Sequence, residues 1–315
     1  MSTNAFPINP TLQAIAIAYT NKDTALIADE VLPRVPTGKK FNYPVWDQVA
    51  AYSVPNTVVG RRGEPNTVDF QATDVADQCV DYGLDDSIPV DDIEAFNAMP
   101  KAPGAVGPKE VRTMLLTKLI MLDREIRAGG LVFNSANYKV GLKTSLGAGD
   151  QFNDTTSDPI ALISNALDLP LVRPNIMVIG QAAWTKLSAH PDIVQATGTS
   201  GGTSGLARAQ AVAELFGLSK VVIGAARLNN ARKGQAPNWA NVWGKHVSLL
   251  YVSQADAQME QPTYGWTAQF GPRVAGDIPE PKKGLRGCVA VRVGESVKEV
   301  ISSQDSGYFI ENAVA

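Results

Sequence analysis

A serine flanked by glycines, in the run Gly198-Thr199-Ser200-Gly201-Gly202, is the most suggestive chemical motif of the sequence. The spacing matches the nucleophile elbow of α/β hydrolases, in which a sharp strand-to-helix turn lifts the serine hydroxyl into an active site. However, the preceding residues 192–197 contain no convincing strand-like run, and the surrounding TGTSGGTSG is typical of a mobile loop. These glycines form neither of two common phosphate-binding patterns, Gly-Lys-Ser/Thr and G-x-G-x-x-G. A hydrolase that uses Ser200 therefore remains only the alternative from another class.

The other reactive residue types are scarce or poorly spaced. The chain has two histidines, His190 and His246, which is too few for a multi-histidine metal site, and its two cysteines, Cys79 and Cys288, lie far apart. Two isolated thiols exclude a disulfide framework and favour a reducing interior. The sequence predicts no catalytic residue, no cofactor and no metal ion.

Charge is unevenly distributed along the 315 residues. The formal net charge is −3, yet ten acidic residues and no Lys or Arg lie from Glu64 to Glu94, here called the acidic segment. Eight basic and three acidic residues follow between Lys101 and Lys143. Charged residues make up 19% of the chain, below the usual ~25%, which suggests surface buried between subunits. Complementary charge could set the register of such contacts, and the expected inter-subunit residues are Asp85, Asp86, Asp91, Asp92, Arg61 and Arg62.

Several other classes of protein are disfavoured. The N-terminus lacks the basic region of a signal peptide, and no apolar run approaches the ~18 residues that span a bilayer. No basic helix or zinc motif for reading bases is present. Any contact with nucleic acid is therefore expected to be unspecific and electrostatic.

The elements that would position these residues follow a recognisable order. Residues 1–40 contain several prolines and one short periodic piece, Leu12–Ala18, which indicates an extended arm. The alternating residues Phe41–Trp46 predict a half-exposed strand, and a long β-like excursion follows with a turn near 60–66. Two strands of this kind need a partner surface, because an isolated hairpin is marginal in water.

A long helix is predicted from Gly107-Pro108 to the glycine pair Gly129-Gly130. Its apolar residues recur at helical spacing and predict one buried stripe, formed by Val111, Leu115, Leu119, Leu122 and Ile126. Four further apolar residues widen this predicted face, namely Met114, Leu116, Ile120 and Met121. Downstream, helices at 158–167, 182–189 and 206–215 alternate with strands at 176–179 and 220–224, an α/β pattern. Strands are then expected at 247–252, 264–270, 287–293 and 297–301.

Three stretches, taken with this order of elements, resemble the major capsid proteins of tailed bacteriophages. They are Tyr19–Trp46, Arg173–Ile193 and Phe216–Val252, the last including FGLSKVVIGAARLNNA and NVWGKHVSLLYV. The resemblance implies an α+β fold of the Hong Kong 97 type, with an N-terminal arm (1–40), an extended β-loop (41–95) and a peripheral domain (96–172) whose spine helix spans 108–130. It further implies an α/β axial domain (173–270) and a return to the peripheral domain (271–315).

The function implied by the resemblance is structural. Copies of the chain would form the pentamers and hexamers of an icosahedral shell around double-stranded DNA, which they would contact without sequence specificity. The extended loop would cross the neighbouring subunit, and an axial loop with Gly198, Gly201, Gly202 and Gly205 would lie near the capsomer axis. Some members crosslink Lys and Asn side chains, but those positions cannot be matched here, so noncovalent assembly is expected.

The same resemblance implies location in the virion, assembly in the bacterial cytoplasm, and scaffold, portal and decoration proteins as possible partners. An encapsulin-like shell around cargo enzymes is the alternative within this fold.

Overall fold

The structure is a computed structural model that describes residues 6–18, 26–46, 53–68, 72–100, 105–198, 205–232, 234–253 and 263–315. Two five-stranded sheets and two two-stranded hairpins form in these ranges. We number the elements in chain order.

The first sheet lies beside the long helix. Its strands are β1 (Arg34–Pro36), β4 (Val80–Pro89), β11 (Gly265–Gln269), β12 (Val274–Glu280) and β13 (Cys288–Ile301). Strand β13 is central, because it pairs antiparallel with β11, β12 and β4. A single strand of 14 residues therefore replaces the two strands expected at 287–293 and 297–301.

The long helix α4 (Pro108–Val132) confirms the predicted spine helix and continues two residues beyond 130. The glycine pair that was predicted to end the helix lies within it, and Gly129 is a packing site. A Cβ on Gly129 would lie 3.4 Å from the carbonyl oxygen of Val242, so a small residue lets the two segments approach. Helix α1 (Pro10–Ala18) packs on α4 and β12 through Leu12 and Ala16, which are buried.

Two short helices flank the first sheet. Helix α2 (Ala28–Val31) packs against α4, and helix α3 (Val90–Ala98) follows β4 directly. Strands β2 (Lys40–Trp46) and β3 (Ala72–Gln78) form the first hairpin, which confirms the strand expected at 41–46.

The second sheet has the order β5-β14-β10-β6-β7. Its strands are β5 (Lys143–Ser145), β6 (Ile176–Gly180), β7 (Lys220–Gly224), β10 (Val247–Leu250) and β14 (Gly307–Glu311). Apolar residues of four helices cover it, namely α5 (Pro159–Asp168), α6 (Gln181–Leu187), α7 (Pro191–Ala196) and α8 (Ala209–Phe216). Strands β8 (Arg227–Asn229) and β9 (Trp239–Asn241) form the second hairpin.

Strand pairing crosses the expected domain boundaries. Strand β11 belongs to the first sheet although it lies within 173–270. Strand β14 belongs to the second sheet although it lies within 271–315. The division into arm, loop, peripheral and axial domains thus stays a prediction, and the chain returns to the second sheet for its last strand.

No helix in the described part of the chain is long and apolar enough to cross a membrane.

Candidate subunit interface

The side of the long helix that was predicted to be buried faces away from the protein. Four of the five residues expected in the core are exposed, with 52% of Leu119 and 50% of Leu115 accessible to solvent. We call these four residues, Val111, Leu115, Leu119 and Ile126, the apolar stripe. The fifth, Leu122, is partly buried. The stripe that was predicted to be buried is therefore mostly exposed, whereas Leu116 and Ile120, which were predicted to widen it, are buried.

The face that is buried carries polar residues, which explains the error. Its residues are Thr113, Leu116, Thr117, Ile120, Arg124, Glu125, Ala128, Gly129 and Val132. The two threonines satisfy their hydroxyls within the helix, because Thr113 donates to the carbonyl of Lys109 at 2.9 Å and Thr117 to that of Thr113 at 2.7 Å. A buried polar group with a partner is tolerated, so apolar periodicity alone selected the wrong side.

An open strand edge runs beside the apolar stripe. Among the described strands, only β13 pairs with β4, and β4 leaves its other edge unpaired. Asp86 of β4 contacts Arg112, and Tyr82 lies under the guanidinium of Arg127. Leu84 lies between these two contacts on the same strand face and is 41% exposed. The strand face that carries Leu84 thus meets the long helix, and the other edge of β4 leaves backbone groups unpaired within the described residues.

The hairpin β2–β3 is anchored at its base by aromatic side chains. The ring centroids of Phe41 and Tyr43 lie 5.6 and 5.8 Å from that of Trp266 on β11. The Cys79 amide donates to the carbonyl of Lys39 at 2.8 Å and closes the base. This packing fixes the direction in which the hairpin leaves the first sheet.

Beyond the strands, residues 53–68 form what we call the loop tip. Asn66 donates to the carbonyl of Asn56 at 2.7 Å, and the amide of Gly63 to that of Gly60 at 2.9 Å. The predicted contact residues Arg61 and Arg62 lie in this turn and are exposed. Four exposed valines accompany them, namely Val54, Val58, Val59 and Val68. Within the described residues the loop tip packs on no apolar core.

The acidic segment meets basic groups of its own chain. Arg292 holds Asp85 with two hydrogen bonds of 2.7 and 2.6 Å, and Arg286 contacts Asp91 at 3.1 Å. Lys39 contacts Asp81 at 2.7 Å. The hydrogen bond from Arg292 holds the pKa of Asp85 below its ordinary value, and that from Lys39 does the same for Asp81. The exposed Asp92 lies in the first turn of α3.

A cluster of ionised side chains fixes the segment 26–36 beneath the long helix. Arg124 is buried, and its Nη2 donates to the carbonyl of Leu32 at 3.1 Å and to the Thr267 hydroxyl at 3.0 Å. Its Nη1 pairs with Asp29. Burial opposes ionisation of Asp29, but Arg124 and Arg34 outweigh it and lower the pKa of Asp29.

The neighbouring Glu125 joins three elements. Its carboxylate accepts from the backbone amides of Ile27 and Ala28 at 2.8 and 2.9 Å and from the indole of Trp243 at 2.5 Å. Burial raises the pKa of Glu125, and these donors offset only part of that rise. The carboxylate thereby connects α2 and the long helix to the segment that precedes β10.

Strand β13 supplies the third carboxylate of this cluster. Arg34 and Arg273 contact Glu295 at 2.9 and 3.0 Å. Burial acts to raise the pKa of Glu295, yet the two guanidinium groups hold it below its ordinary value. Sequence reasoning missed this cluster because its members are scattered from 29 to 295, and no local spacing signals it.

The described residues hold one grouping that resembles a catalytic triad, but its hydrogen bonds are structural. His190 Nε2 lies 3.4 Å from the Ser157 hydroxyl and 3.1 Å from the carbonyl oxygen of Asp154. His190 Nδ1 accepts from the amide of Asp192 at 3.4 Å and caps α7. Because Nδ1 is the acceptor, Nε2 carries the proton and donates to the backbone carbonyl oxygen of Asp154. It therefore has no lone pair with which to activate the serine.

Those of the remaining predicted residues that the structure describes bring no reactive groups together. Ser200, Gly201 and Gly202 lie outside the described residues, while Gly198 and Gly205 flank that stretch with φ values of +61° and +154°. His246 accepts at Nδ1 from the amide of Asn312, and burial lowers its pKa. No group of three His, Cys, Asp or Glu side chains within the described ranges is placed to hold a metal ion.

Known proteins are similar to this chain in sequence and in fold. No family model matches the chain. The major capsid protein of Pseudomonas phage JBD67 is 45% identical over 316 residues, covering 100% of each chain. The crystal structure of a phage-related protein from Bordetella bronchiseptica RB50 has a TM-score of 0.73 at 20% identity and covers 98% of each chain. The capsid structure of cyanophage P-SCSP1u has a TM-score of 0.54 at 10% identity, covering 88% of this chain and 84% of that one.

The fold is thus the Hong Kong 97-like fold of shell-forming phage capsid proteins, as the sequence predicted. By its identity over the full length of a curated relative, the chain belongs to the phage major capsid proteins. It is a structural component of the virion that associates with copies of itself.

Proposed function

We propose that this chain assembles into the pentamers and hexamers of an icosahedral shell that encloses double-stranded DNA. The observation that carries the proposal is that one chain exposes two apolar surfaces, the loop tip and the apolar stripe with the open edge of β4. Exposed apolar patches of this kind mark protein–protein contacts. Since both surfaces recur on every copy, each can be covered by the other surface of a neighbouring copy.

The extended loop of one subunit, residues 41–95 in the predicted division, then lies across the long helix of its neighbour. The valines of the loop tip would cover Leu115 and Leu119, and backbone groups of the loop could pair with the open edge of β4. Full burial of a large apolar side chain contributes about 1.5–3 kcal/mol. A few such residues repeated around a ring are enough to hold subunits together without covalent crosslinks.

The acidic and basic residues would set which neighbour is accepted. Arg61 and Arg62 extend from the loop tip, while Asp92 and Glu94 are exposed on α3. Asp85, Asp86 and Asp91 have partners within the chain, so they would act at an interface by holding β4 and α3 in place. The loop around Gly198 and Gly205 would lie near the capsomer axis.

The assigned role involves no turnover chemistry and no bound cofactor. Scaffold, portal and decoration proteins are proposed as further partners, with assembly in the bacterial cytoplasm. An encapsulin-like shell of the same fold would enclose cargo enzymes instead, and the contents of native particles distinguish the two.

Negative-stain electron microscopy with light scattering, on the full-length protein produced alone, tests the proposal. We expect closed shells or rings of five or six subunits. A chain that stays monomeric, both alone and when co-produced with the other head proteins of its phage, would overturn it.

A further inference from the structure

The hairpin β8–β9 presents a face that nothing in the described chain covers. Its register pairs Asn229 with Trp239 and Arg227 with Asn241, so these four side chains lie on one face. All four residues are exposed, and Trp239 is 65% accessible. Leu228 and Ala240 occupy the opposite face and are half-buried. The exposed face therefore combines a large aromatic ring with cationic and amide donors.

This hairpin lies in a stretch of the chain whose charged residues are all basic. Residues 215–255 contain five basic residues and no Asp or Glu. Lys220 pairs with Glu30 at 2.7 Å. Arg227 and Arg232 are exposed, and no described carboxylate lies within ion-pair distance of either. We call residues 227–241 the basic hairpin.

A second exposed basic turn offers a contrast. Lys282, Lys283 and Arg286 lie between β12 and β13. There Lys283 contacts Glu280 at 2.8 Å and Arg286 contacts Asp91 at 3.1 Å. The charge of that turn is thus partly compensated within the chain, whereas the guanidinium groups of the basic hairpin face solvent.

We propose that the basic hairpin binds the phosphate backbone of the enclosed double-stranded DNA. The inference rests on the proposed function, because the phosphate groups belong to DNA inside the proposed shell. The acidic segment of a neighbouring copy is a weaker partner, because Asp81, Asp85 and Asp91 already bind basic groups of their own chain. Guanidinium groups match phosphate oxygens, asparagine amides also donate to them, and such contacts carry no sequence preference. The indole of Trp239 adds apolar contact with the sugars.

The test measures binding of a labelled duplex of random sequence to purified full-length protein, by fluorescence anisotropy over a range of salt concentrations. The variant Arg227→Gln/Arg232→Gln is expected to lose about tenfold or more in affinity at low salt. Its plot of log affinity against log salt should flatten by up to about 2, nearly one for each phosphate that is no longer neutralised. The variant Trp239→Ala should bind more weakly with an unchanged salt slope.

The matched control is Lys282→Gln/Lys283→Gln, which removes the same charge from the other basic turn. It should change the affinity less than about twofold. Equal losses in both double variants would reduce the effect to net charge and overturn the inference. Unchanged DNA binding together with failure to form particles would make the basic hairpin an interface between copies and also overturn it.

The proposed function is judged separately, by the particles that the unaltered protein forms. If that protein stays monomeric both alone and with the other head proteins of its phage, while the basic hairpin still binds DNA selectively over the control turn, the shell proposal fails and the phosphate site stands.

Discussion

Ionised side chains meet where the N-terminal segment passes beneath the long helix. Asp29, Arg34, Arg124 and Glu295 lie within one connected set of ion pairs. Three of their atoms, Arg34 Nη2, Arg124 Nε and Glu295 Oε1, are buried without a hydrogen-bond partner. Removing a buried member, Arg124 or Glu295, leaves an uncompensated buried charge, which costs about 3–5 kcal/mol. The cluster therefore holds the N-terminal segment in one position and is sensitive to loss of either of these residues.

This cluster makes the free energy of unfolding depend on pH in the acid range. Because the pKa of Glu295 is lower in the folded protein than its ordinary value of 4.5, the unfolded chain takes up this proton first as pH falls. The contribution of Glu295 is complete above about pH 4.5 and is lost as pH falls through the folded pKa. Glu125, whose pKa is raised, acts in the opposite direction. We expect the free energy of unfolding, measured by urea titration, to fall more steeply with acid in the unaltered chain than in Glu295→Gln.

The control for this experiment is Glu94→Gln, at an exposed position on α3. It should keep the steep dependence on pH. If Glu295→Gln showed the same slope as the unaltered chain, the ion pairs of Glu295 would contribute nothing that depends on its protonation.

Two adjacent residues of the long helix separate folding from assembly. Leu119 is 52% exposed and Ile120 is 3% exposed. Leu119→Asp should fold with an unfolding midpoint close to that of the unaltered chain, yet form no shells, because its charge would lie in the contact with a neighbour. Ile120→Asp should fail to fold, since it buries an unpaired charge. Circular dichroism and electron microscopy provide the two measurements, and normal shells from Leu119→Asp would remove the apolar stripe from the interface.

The pairing of β4 with β13 can be tested by exchanging charges. Asp85→Lys should reduce particle yield, because it places two cations together where Asp85 now holds Arg292. Adding Arg292→Asp restores opposite charges and should recover most of the yield. Recovery would assign the effect to this contact within the chain. If the double variant assembled no better than Asp85→Lys, Asp85 would act on another subunit.

Local signals in the sequence were sufficient for several elements. The strand at 220–224 and the helix beginning at 108 form as predicted, because apolar runs and proline positions act through the nearest residues. The exposed face of the long helix could not be obtained this way. In the proposed assembly, Leu115 and Leu119 are apolar because they contact another chain. Arg124 and Glu125 are buried by partners almost a hundred residues away or more. The interface was likewise only partly predictable, since the internal partners of Asp85 and Asp91 depend on long-range pairing.

At the scale of the whole molecule, the fold holds helix α1 and the final strand in place and leaves the loop tip without a partner among the described residues. Helix α1 packs on the long helix, and the final strand β14 lies between β5 and β10. The first hairpin is anchored at its base, by Phe41 and Tyr43 on Trp266. A subunit built this way has packed cores of its own and also exposes apolar surface that a neighbouring copy can cover, as a shell component requires.

The central claim, that the loop tip of one copy covers the apolar stripe of the next, is tested most directly by cysteine crosslinking in assembled particles. Val58→Cys and Leu119→Cys would be combined in one chain, with both native cysteines changed to serine and the two single-cysteine chains as controls. The account predicts that mild oxidation links subunits into ladders of five and six on denaturing gels, only when both cysteines are present. Intact shells that yield no such linked subunits, or yield them equally from either single-cysteine chain, would contradict it.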